Sequence, residues 1–238
     1  METAKKLGAR VKLIGGWAIQ YSSPINNNID MILMRKPNDI DLIGLSKDKK
    51  KIYEVLKSCG YSPDERFNAF NGDSRLLFHK GDILIDVFLD KFSMCQEIDF
   101  KDRLNSDLPW ISVDDLLLTK IQIVEINEKD IKDIIRLISS HEIIDKGEDY
   151  NKINLDYIAG ICSDDYGFYM SFKLNMPKIL QYLQNLEGDV SSKEQIKNKI
   201  NIIMDAIEKR PKSLKWKLRA KMGDRIPWYR LPEEKKRN

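Results

Sequence analysis

The apolar positions of this chain change period partway along it. As far as about Asp90, short apolar runs ended by turn residues alternate with segments of helical spacing, and beyond it helical spacing dominates. The run RVKLIGG predicts a strand closed by Gly15 and Gly16, and WAIQYSS after it predicts a helix. NDIDLIGL reads as a second strand. In SKDKKKIYEVLKSCGY, Ile52, Val55 and Leu56 share one helical face among lysines, and Gly60 is placed to stop the helix. SRLLFHKGDILIDVFLD predicts two strands joined by a tight turn at Lys80, Gly81 and Asp82. The segment SSPINNNIDM reads as an exposed loop. Near the C-terminus, SSKEQIKNKINIIMDAIEKR predicts an amphipathic helix with Ser191 and Glu194 in capping-box register. Strands early and helices late predict an α+β fold with a mixed sheet followed by a mainly helical part.

Composition narrows the class. With 238 residues, 42% hydrophobic and 32% charged, the chain has enough apolar material for a sizeable core. Cys59, Cys95 and Cys162 form no metal-like spacing and suit a reducing cytosol. The start METAKKLGARVKLIGG lacks the apolar stretch of a signal peptide, and no apolar run approaches the roughly 20 residues of a membrane span, so the expectation is a soluble cytoplasmic protein without a membrane partner. The net charge of +3 is unevenly spread: Ala206 to Asn238 holds 12 Lys and Arg against 4 Asp and Glu. A basic tail fits either a polyanionic partner or a solvated face.

The strands carry the candidate chemistry. Asp is a poor strand former, yet Asp39 and Asp41 fall on one side of NDIDLIGL while Ile40 and Leu42 fall on the other. Asp86 lies in the middle of ILIDVFL, on the face opposite the aliphatic Ile83, Ile85, Val87 and Leu89; Asp82 and Asp90 read as turn and strand-end residues. If the two strands pair, three carboxylates gather, which makes sense chiefly around a divalent ion. All-oxygen ligands point to Mg²⁺ or Mn²⁺. Repulsion among them also predicts that neutralising one leaves the metal-free fold as stable or more so. Gly15 and Gly16, between strand and helix, can offer backbone N–H groups to a phosphate or serve only to reverse the chain.

LIGGWAI, RKPNDIDLIG and ILIDVF together resemble the nucleotidyltransferase superfamily that includes DNA polymerase β, and are closest in appearance to the branch of AbiEii-type toxins and minimal antibiotic nucleotidyltransferases. SVDDLLLTKIQIVEINEKDIKDIIRLI looks like the helical second half of that branch. Gly16 stands where many members have Ser, and the interval from Gly16 to Asp39 is longer than in the smallest members. The resemblance implies a nucleotidyltransferase domain over residues 1–105 and a helical domain over 106–238, with the active site in the cleft between them. It implies that Asp39, Asp41 and Asp86 are catalytic and hold Mg²⁺ or Mn²⁺, Asp86 also helping to deprotonate the acceptor hydroxyl. Gly15, Gly16, Arg35, Lys120 and Asp130 would bind the nucleoside triphosphate.

On the residues alone, Arg35 fits a phosphate contact or an ordinary ion pair, and Lys120 a reach toward the triphosphate or a lysine snorkelling at the edge of an apolar stripe. Asp130 sits in a first helical turn after Asn127 as its cap, where an acid already suits the dipole. Asp115 and Asp133 read as solvated helix residues, and His79 and His141 as isolated. In KSLKWKLRAKMGDRIPWYRLP, basic residues interleave with Trp216, Trp228 and Tyr229, which either stack on RNA or staple the tail to the helices. The function that follows is metal-dependent transfer of a nucleoside monophosphate to an acceptor hydroxyl, on an RNA end or a small molecule. The rivals are a catalytically silent nucleotide-binding or protein-interaction module on the same fold and an RNA-binding protein acting through its tail.

Overall fold

The computed structural model describes residues 1–231 of the chain. In chain order its elements are helix α1 (Glu2–Lys6), strand β1 (Val11–Ile14), helices α2 (Gly15–Ser22) and α3 (Asn28–Ile32), strand β2 (Ile40–Gly44), helix α4 (Lys49–Ser58), strand β3 (Ser62–Pro63), helix α5 (Glu65–Asn71) and strands β4 (Arg75–Lys80), β5 (Ile83–Leu89), β6 (Lys91–Ser93) and β7 (Glu97–Asp99). Then come helices α6 (Val113–Ile121) and α7 (Glu128–Ser140), strands β8 (Ile143–Ile144) and β9 (Ile153–Asn154), and helices α8 (Leu155–Asp164), α9 (Tyr166–Asn185), α10 (Val190–Lys209) and α11 (Leu214–Met222). They group into two compact units, one from Met1–Ser22, Arg35–Phe92 and Glu97–Ile111, the other from Ser23–Met34, Ser93–Gln96 and the chain from Ser112 onward.

The first unit is built on a five-stranded mixed sheet in the order β1-β2-β5-β4-β3. Only the β2–β5 pair is parallel; β1 with β2, β4 with β5 and β3 with β4 are antiparallel. One face carries Val11, Leu13, Ile40, Leu42, Leu76, Phe78, Ile85, Val87 and Leu89 and closes on Ile52, Val55 and Leu56 of α4, the helical face the spacing predicts. Gly44 lets α4 come close, since a Cβ there would lie 2.7 Å from Ile52 Cδ1. The hairpin forms as expected: Lys80 pairs with Ile83, and Gly81 takes the left-handed conformation at φ +56° that a two-residue II′ turn needs first.

Strand alternation leaves Lys12, Ile14, Asp41, Ile43, Leu84, Asp86, Phe88, Arg75 and Leu77 for the opposite face. Lys12 is buried there, and its Nζ donates to Ser106 O at 2.7 Å, Ser106 Oγ at 2.5 Å and Leu108 O at 2.8 Å. Burial lowers its ammonium to about 8 against the opposing pull of Asp107. The lysine thereby pins the 106–108 segment, whose continuation bridges β1 through Leu13 and Trp110.

The second unit is helical, and several readings change there. SSPINNNIDM is a loop only in part: residues 23–27 lie outside helix and strand, with Pro24, Ile25 and Asn26 exposed, whereas Asn28–Ile32 forms α3, which Asn27 caps by accepting from Asp30 N, and Ile29, Asp30 and Leu33 are buried. A helix of five residues is too short to show a period, so only packing reveals it. The expected amphipathic helix is α10, with Ile196, Ile200, Ile203 and Ile207 buried, but its cap is Asp189, which accepts from Ser192 N at 2.7 Å, not Ser191. Asp115 and Asp133 are buried rather than solvated. Asp115 accepts from Ser112 Oγ at 2.9 Å and Tyr157 Oη at 3.1 Å. His141 is buried too, with its Nδ1 2.9 Å from Leu137 O. No described helix is long and apolar enough to cross a membrane.

Phe78 sits fully buried in the sheet–helix core with its ring 5.0 Å from that of Tyr53. Phe78→Ala is therefore expected to cost about 3–5 kcal/mol, read as a lowered denaturation midpoint.

Candidate active site

The glycine pair and the first Asp strand come together. β1 ends at Ile14, α2 begins at once on Gly15, and Gly15 has φ +66°, a conformation that side-chain-bearing residues rarely adopt. A Cβ on Gly15 would stand 2.4 Å from Asp41 Oδ2, so the carboxylate lies against bare backbone. A Cβ on Gly16 would stand 2.9 Å from both Arg35 Nη2 and Pro37 Cγ. The sequence-predicted Gly15, Gly16, Arg35 and Asp41 are thus one cluster at the start of an eight-residue helix whose first turn has no acid of its own. N–H groups at such a terminus favour anions.

Asp86 joins that cluster through strand register. β2 and β5 run parallel with Asp41 opposite Asp86, and the cross-strand row reads Ile14, Asp41, Asp86, Leu77. Asp39, half-buried, lies two residues before Asp41 at the entry to β2. Asp86 is 1% exposed, and a carboxylate that deep needs compensating charge. Arg75 supplies it with a two-pronged contact: Nε donates to Oδ1 at 2.8 Å and Nη2 to Oδ2 at 2.5 Å. The guanidinium carbon in turn lies 4.8 Å from the Phe88 ring centre. The expected gain in stability on neutralising a carboxylate therefore does not extend to Asp86, whose charge is balanced by an ion pair; Asp86→Asn removes one charge of that buried pair, at a cost of about 3 kcal/mol.

Asp39, Asp41 and Asp86 offer only oxygen donors, which fit a hard divalent ion, and the missing side chain of Gly15 gives the Asp41 carboxylate its place against the backbone. Among the described residues, no three or more His, Cys, Asp and Glu side chains form a ready-made cation cage. Both oxygens of Asp86 face Arg75.

Lys120 and Asp130, expected to touch nucleotide, bind each other within the second unit. Lys120 Nζ is 2.9 Å from Asp130 Oδ1 and 2.9 Å from Asp133 Oδ2. Burial would lower its ammonium, but Asp133 and Asp130 outweigh burial and hold it above its ordinary value. Asn127 caps α7 as expected, accepting from Asp130 N at 3.1 Å. Trp216 packs within its own unit, meeting Tyr166 and Tyr169 edge-on with ring centres 5.2 Å and 5.1 Å apart, while Trp228 and Tyr229 meet each other edge-on and the Trp228 main-chain O accepts from Gln96 Nε2. Tyr169 Oη donates to Glu208 Oε1, and burial first, then this carboxylate, pushes the phenol up to about 12. The last seven residues of the basic tail lie outside the described residues.

Arg75 and Lys12 are the two residues that pattern reading missed. Counting back from the Gly81 turn puts Arg75 opposite Phe88, diagonal to Asp86, so the hairpin register held the signal. Lys12 was visible as a lone lysine within an apolar strand.

Gly15→Ala tests the cluster. The left-handed backbone costs roughly 1–2 kcal/mol for Ala, and the methyl group must also displace the Asp41 carboxylate. The expected outcome is a modest fall in melting temperature with a much larger loss of any Asp41-dependent activity.

Among known proteins, no family model and no curated protein matches the chain. Two solved structures show partial similarity. The solution structure of the antibiotic-resistance factor ANT(2'')-Ia shares 15% identity over 58% of this chain and 78% of that one, with a TM-score of 0.39. The crystal structure of the lincosamide antibiotic adenylyltransferase LnuA, lincomycin-bound, shares 18% identity over 57% of this chain and 90% of that one, with a TM-score of 0.39. Likeness of this degree assigns no activity, and the functional reading rests on the residues of the sheet.

Proposed function

We propose that the chain is a nucleotidyltransferase that moves a nucleoside monophosphate from a nucleoside triphosphate to an acceptor hydroxyl. The observation that carries this reading is the placement of Asp41 in register with Asp86 on adjacent parallel strands, with Gly15 against Asp41. Gly15 and Gly16 would present backbone N–H groups to the triphosphate, and Arg35, beside Gly16, would add a guanidinium there. Asp39, Asp41 and Asp86 would hold Mg²⁺ or Mn²⁺. When bound, such an ion neutralises phosphate charge and eases loss of the hydroxyl proton. The acceptor oxygen forms its bond to the α-phosphorus as the bond to the bridging oxygen breaks; pyrophosphate leaves, and the proton passes to the Asp86 carboxylate. The chain's contribution is chiefly to position these groups in a fixed field of charge.

The acceptor is a hydroxyl on an RNA end or on a small molecule. With Trp216 packed edge-on against Tyr166, RNA recognition would draw on phosphate contacts by exposed lysines such as Lys215 and Lys217. Neutralising those lysines and following acceptor modification across a salt series separates the two: an RNA acceptor loses affinity and salt slope, and a small molecule loses neither.

The central test is pyrophosphate release from labelled triphosphates with Mg²⁺ or Mn²⁺. Wild type is expected to release it and Asp41→Asn to fall by at least about a hundredfold, the cost typical of losing one electrostatic anchor, with its fold intact. Absence of release from wild type with any of the four triphosphates favours the silent module. Lys120→Ala separates the two roles open to Lys120: a raised KM for the triphosphate at unchanged stability supports a nucleotide contact, whereas lowered stability at unchanged KM makes it the pin of Asp130 and Asp133.

A further inference from the structure

We propose that Arg75 is the resident counter-cation of the carboxylate site, and that a divalent ion has to win Asp86 from it; this rests on the metal-binding role proposed above for Asp41 and Asp86. The geometry is specific. β4 fixes the Arg75 backbone opposite Phe88, one diagonal step from Asp86, and the guanidinium spans both carboxylate oxygens at 2.8 Å and 2.5 Å. Its carbon lies 4.8 Å from the Phe88 ring centre and 6.0 Å from that of Phe67, so the charge sits between two aromatic faces. The Asp86 side chain is 2% exposed and that of Arg75 21%. An ion pair serving stability alone has no reason to stand beside a second strand carboxylate, yet Asp86 is the register neighbour of Asp41.

Competition follows from charge and reach. A Mg²⁺-sized ion sits about 2.0–2.1 Å from its oxygen ligand, and on Asp86 that puts a double positive charge within a few ångströms of the guanidinium. The two cations would repel, and Arg75 already engages both Asp86 oxygens that a metal would draw on. In the absence of metal, Arg75 sits across both oxygens of the buried Asp86 carboxylate and balances its charge. It also holds affinity for the bare ion low, so that an ion enters best together with a triphosphate that brings negative charge of its own. The same residue thereby stabilises the metal-free fold and sets the threshold for loading it.

Mn²⁺ titration of the full chain, with free ion followed by its electron paramagnetic resonance signal, tests this without recourse to activity. Wild type is expected to bind Mn²⁺ weakly and Asp41→Asn to lose that binding. Arg75→Met is expected to bind about tenfold more tightly than wild type, about 1.4 kcal/mol, with a lower melting temperature when metal-free. Arg75→Lys, which keeps one charge but not the fork, is expected to fall between them, and it carries the test if Arg75→Met does not fold. Equal or weaker Mn²⁺ binding in the Arg75 variants, with wild-type binding still dependent on Asp41, overturns the counter-cation role and leaves the transferase reading standing. Wild-type Mn²⁺ binding that is absent, or that survives Asp41→Asn, overturns the metal site and the counter-cation role with it.

Discussion

Side-by-side carboxylates on neighbouring strands are the constraint around which the first unit is arranged. β2 and β5 are the one parallel pair in the five-stranded sheet, and their register sets Asp41 next to Asp86. A sheet interior tolerates such a pair only where positive charge or bare backbone meets it. Both are present. Arg75 reaches Asp86 from β4 on one side, and Gly15 leaves backbone open beside Asp41 on the other. The opposite face is wholly apolar and locked to α4, so the strands cannot slip by one residue without driving these charges into the core. Packing on one side of the sheet thus holds the chemistry on the other.

The second unit uses buried charge differently, as internal pins between elements. Lys120 on α6 holds Asp130 and Asp133 on α7. Lys199 on α10 donates to the carbonyls of Ile138, Ser139 and His141, meeting backbone acceptors at the end of α7; burial lowers its ammonium, with Asp30 and Glu142 pulling the other way. Arg136 reaches Ser23 O, and Asn26 Nδ2 donates to Ser140 O, tying the inserted segment that carries α3 to the helices. These contacts give conformational definition rather than large stability, since every ion taken from water gives up its hydration.

Much of this was legible in the linear chain. Period-2 alternation assigned the core faces of β2 and β5, helical spacing assigned that of α4, and Gly60 and Gly81 marked their turns, because those signals depend on neighbours a few residues away. The resemblance to nucleotidyltransferases rested on the same local features: glycines after a strand, and Asp at alternate positions of the next. Asp115 and Asp133 misled for a related reason. An acidic residue in a helix looks solvated until its partner is known, and Tyr157 and Lys120 come from other elements.

What local pattern determined was the placement of the four longer strands of the first unit, the faces that β2 and β5 bury, and that Asp39, Asp41 and Asp86 lie off the apolar face. Tertiary structure alone decided that β2 pairs with β5 in parallel, that Asp41 meets Asp86 in register, that Arg75 closes on Asp86, and that Asn28–Ile32 forms a helix in another unit. Those outcomes turn on contacts between residues distant in the chain, where the cost of bringing segments together is repaid only by burial and charge pairing that no single segment contains.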